Sequence, residues 1–139
     1  MGKKNLRISL LGAGTVGSGV WSLLQENADL LYAQTGCRFE VRHVLVRSLD
    51  KPRKAPIPTE LLTTDAQRAV LDPEVDVVIE LLGGLEPART LIEQALQAGK
   101  HVITANKMVM ALAGDRLITL ASAQKVRLLY EASVAGSLP

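Results

Sequence analysis

Six residues near the amino terminus, Gly12-Ala13-Gly14-Thr15-Val16-Gly17, restrict the fold more than any other stretch of the chain. They set three glycines at G-x-G-x-x-G spacing directly behind the apolar run Leu6-Arg7-Ile8-Ser9-Leu10-Leu11. Val20, Leu23, Leu24, Asn27, Ala28 and Leu31 follow at helical spacing, which predicts a helix stopped by a left-handed Gly36. In a strand-turn-helix setting each glycine has a mechanical task. Gly12 permits the tight turn, Gly14 lets the backbone approach a pyrophosphate, and Gly17 lets helix and strand pack closely. The helix amino terminus, with Thr15 and Val16 in its first turn, then points at the phosphates. An ordinary strand-to-helix turn is the plainer alternative, and the context favours dinucleotide binding over it.

The rest of the chain repeats the same alternation. Arg38 to Val46 reads as a second strand, Leu61-Leu62-Thr63 as a short one, and Thr64 or Asp65 caps a small helix through Val70. Val75 to Leu82 is a buried strand running into Gly83-Gly84. A helix follows from Pro87, with Ala88, Leu91, Ile92, Ala95 and Leu96 on its buried face and Gly99 as its stop. His101 to Ala105 is a further strand. Asn106 caps one helical stretch or two, interrupted at Gly114, and Val126 to Tyr130 is the last strand. Strands alternating with helices imply parallel pairing through right-handed crossovers. The expected fold is α/β, a doubly wound parallel sheet of Rossmann type, with residues 1–139 forming one dinucleotide-binding domain. Its ligands belong outside the carboxyl ends of the strands, which gathers Gly12 to Gly17, Arg47, Gly83-Gly84, Lys107 and the Glu131 loop onto one edge.

The end of the second strand sets the cofactor. NAD-specific folds place Asp or Glu there for the ribose 2′-hydroxyl, whereas Arg accommodates a 2′-phosphate. Here the residue is Arg47, with Lys51, Arg53 and Lys54 close by in sequence. NADP is therefore the expected cofactor ahead of NAD, against the plainer reading of a solvated charge run in a Pro-rich loop.

Composition narrows the partners. Aromatic residues are only 3% against 47% apolar, so the core is aliphatic, as a parallel sheet built from Val, Ile and Leu requires. A formal charge of +2 is too small to imply nucleic acid. No apolar run reaches membrane-spanning length. The single cysteine, Cys37, excludes an internal disulfide and fits a reducing, cytoplasmic compartment.

Four ordered motifs carry a resemblance. Leu11 to Val20, Glu80-Leu81-Leu82-Gly83-Gly84 with Glu86-Pro87-Ala88, Gly99 to Lys107, and Tyr130 to Gly136 resemble the homoserine dehydrogenases across essentially the whole chain. That resemblance implies interconversion of L-homoserine and L-aspartate 4-semialdehyde with NAD(P), on the route to threonine and methionine. Gly83-Gly84, with Leu82, offers close backbone approach beside the nicotinamide ribose, a simple strand-ending turn being the plainer alternative, and the resemblance gives Lys107 a catalytic role near cofactor and substrate. An ammonium there would stabilise negative charge growing on the carbonyl oxygen; a solvent-facing lysine in a frayed turn is the alternative. The resemblance also implies a monovalent cation, Na+, held by Glu131, Val134, Gly136 and Leu138. Glu80 is expected to make a structural hydrogen bond, because an unpartnered carboxylate late in an apolar strand is costly. The family's catalytic and dimerisation domain is expected beyond residue 139, so this chain should bind nucleotide without turning over. An apolar edge left by that domain would favour self-association into a homo-oligomer. A free-standing nucleotide-binding module and another dehydrogenase of the same fold are the competing readings.

Overall fold

The computed structural model describes residues 5–130. Strand β1 (Asn5–Leu11) leads into α1 (Thr15–Glu26) and α2 (Ala28–Thr35), and the chain returns in β2 (Arg38–Leu45). A 3-10 turn at Thr59–Leu61 precedes the two-residue β3 (Leu62–Thr63) and α3 (Ala66–Leu71). Next come β4 (Val77–Glu80), α4 (Ala88–Gln97), β5 (His101–Thr104), α5 (Lys107–Gln124) and β6 (Leu128–Tyr130). The strands pair in the order β3-β2-β1-β4-β5-β6 and every pair is parallel. This is the doubly wound order, with its switch point between β1 and β4.

Both faces of the sheet are packed. Ile8 and Leu10 of β1 turn toward Trp21 of α1, together with Val41, Val44 and Val46. Leu11 faces the opposite way, into a larger cluster built from Val70 of α3, Leu91, Ile92 and Leu96 of α4, and Val109 and Leu117 of α5. Full burial of one such aliphatic side chain is worth about 1.5–3 kcal/mol. Ser9, on the same side as Leu11, is buried as well and donates to the Ala69 carbonyl at 2.6 Å, fastening α3 to β1.

Three expectations are corrected. The first helix is two helices, because the Asn27 side chain donates to the Leu23 carbonyl at 3.0 Å while its backbone leaves the helical region at φ −110° and ψ 20°. A side-chain amide that competes for a helix carbonyl favours such a break. Gly36 does close α2 in the left-handed conformation, at φ 73°. Gly114, in contrast, interrupts nothing: α5 runs through it as one 18-residue helix, with Gly114 buried. Glycine costs a helix interior roughly 1 kcal/mol against alanine, which the cap at Asn106 and the packing of α5 on α4 absorb. Finally, β4 is shorter than the apolar run predicts. Leu81 still donates to the Leu11 carbonyl at 2.9 Å, but Leu82 turns its N–H to the Glu80 side chain and leaves the ladder.

One irregularity places polar residues. Ile8 pairs with Val41 and Ser9 with His43, so Arg42 is the extra residue of a β-bulge. Consecutive side chains normally alternate across a sheet. Here Arg42 and His43 both reach one oxygen of Asp72, at 3.1 and 2.7 Å. Among the described residues no helix is long and apolar enough to cross a membrane.

Candidate nucleotide-binding site

The turn between β1 and α1 is closed by backbone packing. Gly12 sits at φ 113°, and a Cβ there would lie 3.1 Å from the Leu81 carbonyl oxygen. A Cβ on Gly17 would lie 2.2 Å from the Gly12 carbonyl oxygen, an impossible approach. The first and third glycines are thus required by the fold itself. Gly14 differs: a Cβ there would meet nothing within 4 Å. It is the amino cap of α1, and among the described residues no side chain caps the N–H groups at that end. The N–H groups of the first turn, with Thr15 and Val16 exposed, are left for an anion, and the helix dipole favours one there.

This turn forms one wall of a cleft of about 400 Å³. Arg47, Ser48, Lys51, Arg53 and Lys54 line its far side, and Leu81 and Leu82 form part of the floor. The predicted cationic corner and the glycine turn therefore face the same space. The corner is not uniform. Arg47, Lys51 and Lys54 are exposed, whereas Arg53 is half-buried and its guanidinium donates to the Ser48 carbonyl. Arg53 shapes the loop, and three cations remain for a ligand. Open glycine, free first-turn amides and a cationic far wall fit the phosphates of a dinucleotide.

Across Leu81 lies a second hollow of about 180 Å³, lined by Val16, Glu80, Leu81, Gly83, Ala105 and Asn106. Its architecture depends on Glu80, which is fully buried. One carboxylate oxygen accepts from the N–H groups of Leu82 at 2.9 Å and Gly83 at 3.3 Å, and from the Asn106 side-chain amide at 3.3 Å. The other accepts from the Thr104 hydroxyl. Thr104 in turn accepts the Asn106 backbone N–H at 3.0 Å, and Asn106 also donates to the Gly84 carbonyl at 2.7 Å. The Asn106 side-chain oxygen caps α5 by accepting from Val109 at 3.0 Å. Gly83 and Gly84 hold φ values of 78° and 69°, so the chain can fold around the carboxylate. The expected structural role of Glu80 holds, and Thr104 is the partner that its position at the end of a β-branched strand did not reveal. Lys107 is the exposed first residue of α5, directly after this network.

A polar cluster with no forecast in the sequence sits away from the cleft. Burial alone would raise the Asp72 carboxyl. The Glu74 N–H at 2.8 Å, the His43 ring and the Arg42 guanidinium outweigh burial and hold it at about 2. The Lys100 ammonium donates to the Asp72 backbone carbonyl at 2.6 Å. No signal short of the bulge register could have joined these residues.

The structure thus brings Gly12, Gly14, Thr15, Val16, Gly17, Arg47, Leu82, Gly83, Gly84 and Lys107 to the carboxyl edge of one sheet. Glu131, Val134, Gly136 and Leu138, expected to hold a cation, lie outside the described residues. Exposed apolar side chains among the described residues include Val16, Leu23, Leu30, Met108, Leu112 and Leu129.

Known proteins share this arrangement. The family model described as homoserine dehydrogenase, NAD binding domain, matches residues 12–131. The homoserine dehydrogenase of Bacillus subtilis (strain 168) is 45% identical over 136 residues, which cover 98% of this chain and 31% of that enzyme. The one from Synechocystis is 48% identical over 137 residues, covering 96% of this chain and 30% of that enzyme. The crystal structure of the Thiobacillus denitrificans homoserine dehydrogenase superimposes with a TM-score of 0.84 at 42% identity, over 94% of this chain and 30% of that one. The chain therefore spans about 31% of the length of these relatives. Glycine turn, Gly83-Gly84 and Asn106-Lys107 all fall within the matched span, and the chain belongs to the homoserine dehydrogenase family as its NAD-binding domain.

Proposed function

We propose that this chain binds NADP(H) in preference to NAD(H) and forms the cofactor half of an enzyme that interconverts L-homoserine and L-aspartate 4-semialdehyde. The observation that carries the preference is Arg47, exposed at the end of β2 and lining the same cleft as Gly12 and Gly14. An Arg there offers paired donors to a 2′-phosphate, where an acidic residue would repel it. Lys51 and Lys54 add charge to the same rim.

The bound nicotinamide accepts or gives the hydride; the residues of this chain bind and orient it. Gly12, Gly14 and Gly17 shape the turn, with Thr15 and Val16 presenting amides to the pyrophosphate. Leu82, Gly83 and Gly84 flank the nicotinamide ribose. Lys107 faces the carbonyl oxygen of the substrate and stabilises its developing charge, as a preorganised donor in an oxyanion site does. Glu131, Val134, Gly136 and Leu138 hold a monovalent cation, whose hard character suits a carboxylate and backbone carbonyls. The family's second domain, beyond residue 139, supplies the opposite wall and the dimer contact. The setting is the cytoplasm and the route to threonine and methionine.

Titration of the purified chain with NADP+, NADPH, NAD+ and NADH tests the reading. NADP(H) is expected to bind at least as tightly as NAD(H) and to raise the melting temperature. Tighter binding of NAD(H) would reverse the cofactor assignment.

A further inference from the structure

The Glu80 network holds the turn, but four donors around one carboxylate also fix a charge. Three of them are N–H groups on a single oxygen, and the Thr104 hydroxyl serves the other. The amino end of α5, capped by Asn106, adds its positive dipole from the same side. None of the four donors belongs to a charged side chain, so no cation pairs directly with the carboxylate among these contacts.

Glu80 is buried, yet it stands in the wall of the 180 Å³ hollow beside Gly83 and Asn106. In a sheet of this order a dinucleotide lies across the switch point, its adenosine half toward β2 and its other half over β4 and β5. The hollow, at the ends of β4 and β5, has room for a single pyridine ring. A nicotinamide ring is cationic when oxidised and neutral when reduced. A fixed carboxylate behind the ring, shielded from solvent, attracts the first form and is indifferent to the second.

We infer that Glu80 is a positioning residue whose buried charge selects the oxidised cofactor, tilting the site toward NADP+ over NADPH in addition to holding the Gly83-Gly84 turn. This rests on the cofactor reading above. It separates two roles that one side chain performs: shape, which both cofactor forms feel, and charge, which one form feels.

The test compares dissociation constants of NADP+ and NADPH for the wild-type chain, Glu80→Gln and Glu80→Asp. Glutamine keeps an oxygen for Leu82, Gly83 and Asn106 and can donate its amide to the Thr104 hydroxyl, so the fold survives while the charge goes. Glu80→Gln should weaken NADP+ roughly thirtyfold more than NADPH, the effect of one unit charge about 8 Å away at an effective dielectric of about 20. Glu80→Asp, charged but shorter, should weaken both forms alike and keep the wild-type ratio. An equal effect of Glu80→Gln on both forms, or none on either, overturns the charge role and leaves the cofactor reading intact. If Glu80→Gln does not fold, the wild-type chain decides: it must bind NADP+ at least as tightly as NADPH, and tighter binding of NADPH overturns the inference. A wild-type chain that binds neither form overturns the cofactor reading and this inference with it.

Discussion

The His43 ring nitrogen lies 2.7 Å from an Asp72 carboxylate oxygen across 29 residues of sequence, and the bulge at Arg42 makes that contact possible. Because the folded carboxyl sits at about 2, below its ordinary 3.8, its ionised form contributes stability. That contribution is complete above about pH 5 and lost as the pH falls through 4 to 2, amounting to about 2 kcal/mol. Urea unfolding at stepped pH should show this acid loss in the wild type, and Asp72→Asn should flatten it. An identical acid slope in both proteins would remove Asp72 from the account.

Gly14 and Gly17 should respond differently to the same substitution. Gly17→Ala forces a methyl group to within 2.2 Å of the Gly12 carbonyl and should unfold the chain or cost it several kcal/mol. Gly14→Ala meets open space and a permitted φ of −73°, so it should melt like the wild type while losing nucleotide affinity. Calorimetry with and without NADP+ separates the two outcomes.

Arg47→Ala should weaken NADP+ by about tenfold, the scale of one lost charge-assisted hydrogen bond, and leave NAD+ almost unchanged. Equal losses for both cofactors would show that Arg47 does not read the 2′-phosphate.

Lys107→Ala, placed in a protein carrying the family's second domain, should lower kcat on the order of 10²–10³-fold, the effect of removing one oxyanion donor. The dissociation constant for NADP+ should move far less. A variant with unchanged turnover would return Lys107 to the solvent-facing role that its exposure also allows.

Much of this was legible because the residues involved obey local rules. The glycine spacing, the left-handed stop at Gly36 and the Asn106 cap each follow from backbone geometry within a few residues. Glu80 was legible as a carboxylate in need of partners, since burial makes an orphan costly. The break at Asn27 was not, because apolar spacing runs through it and Leu23, counted toward the helical face, is exposed. Arg53 looked like one more cation of the corner until the Ser48 carbonyl claimed it. The Asp72 cluster depends on a register shift between two strands, and register is a property of pairs of segments that no single segment displays.

The placement of β4 between β1 and β5 also governs when the site comes into being. Ile8 to Leu11 of β1 pair with Val77 to Glu80 of β4 across 69 residues of sequence, and that pairing brings the Leu81 carbonyl behind Gly12. Non-local parallel pairing of this kind is slow, because loop closure must precede the contacts that reward it. The phosphate turn can form its helix early, but the surface against which it closes arrives with the middle of the sheet. Nucleotide capture during refolding should therefore report insertion of the central strand, whose Val77 and Ile79 also complete the cluster around Trp21.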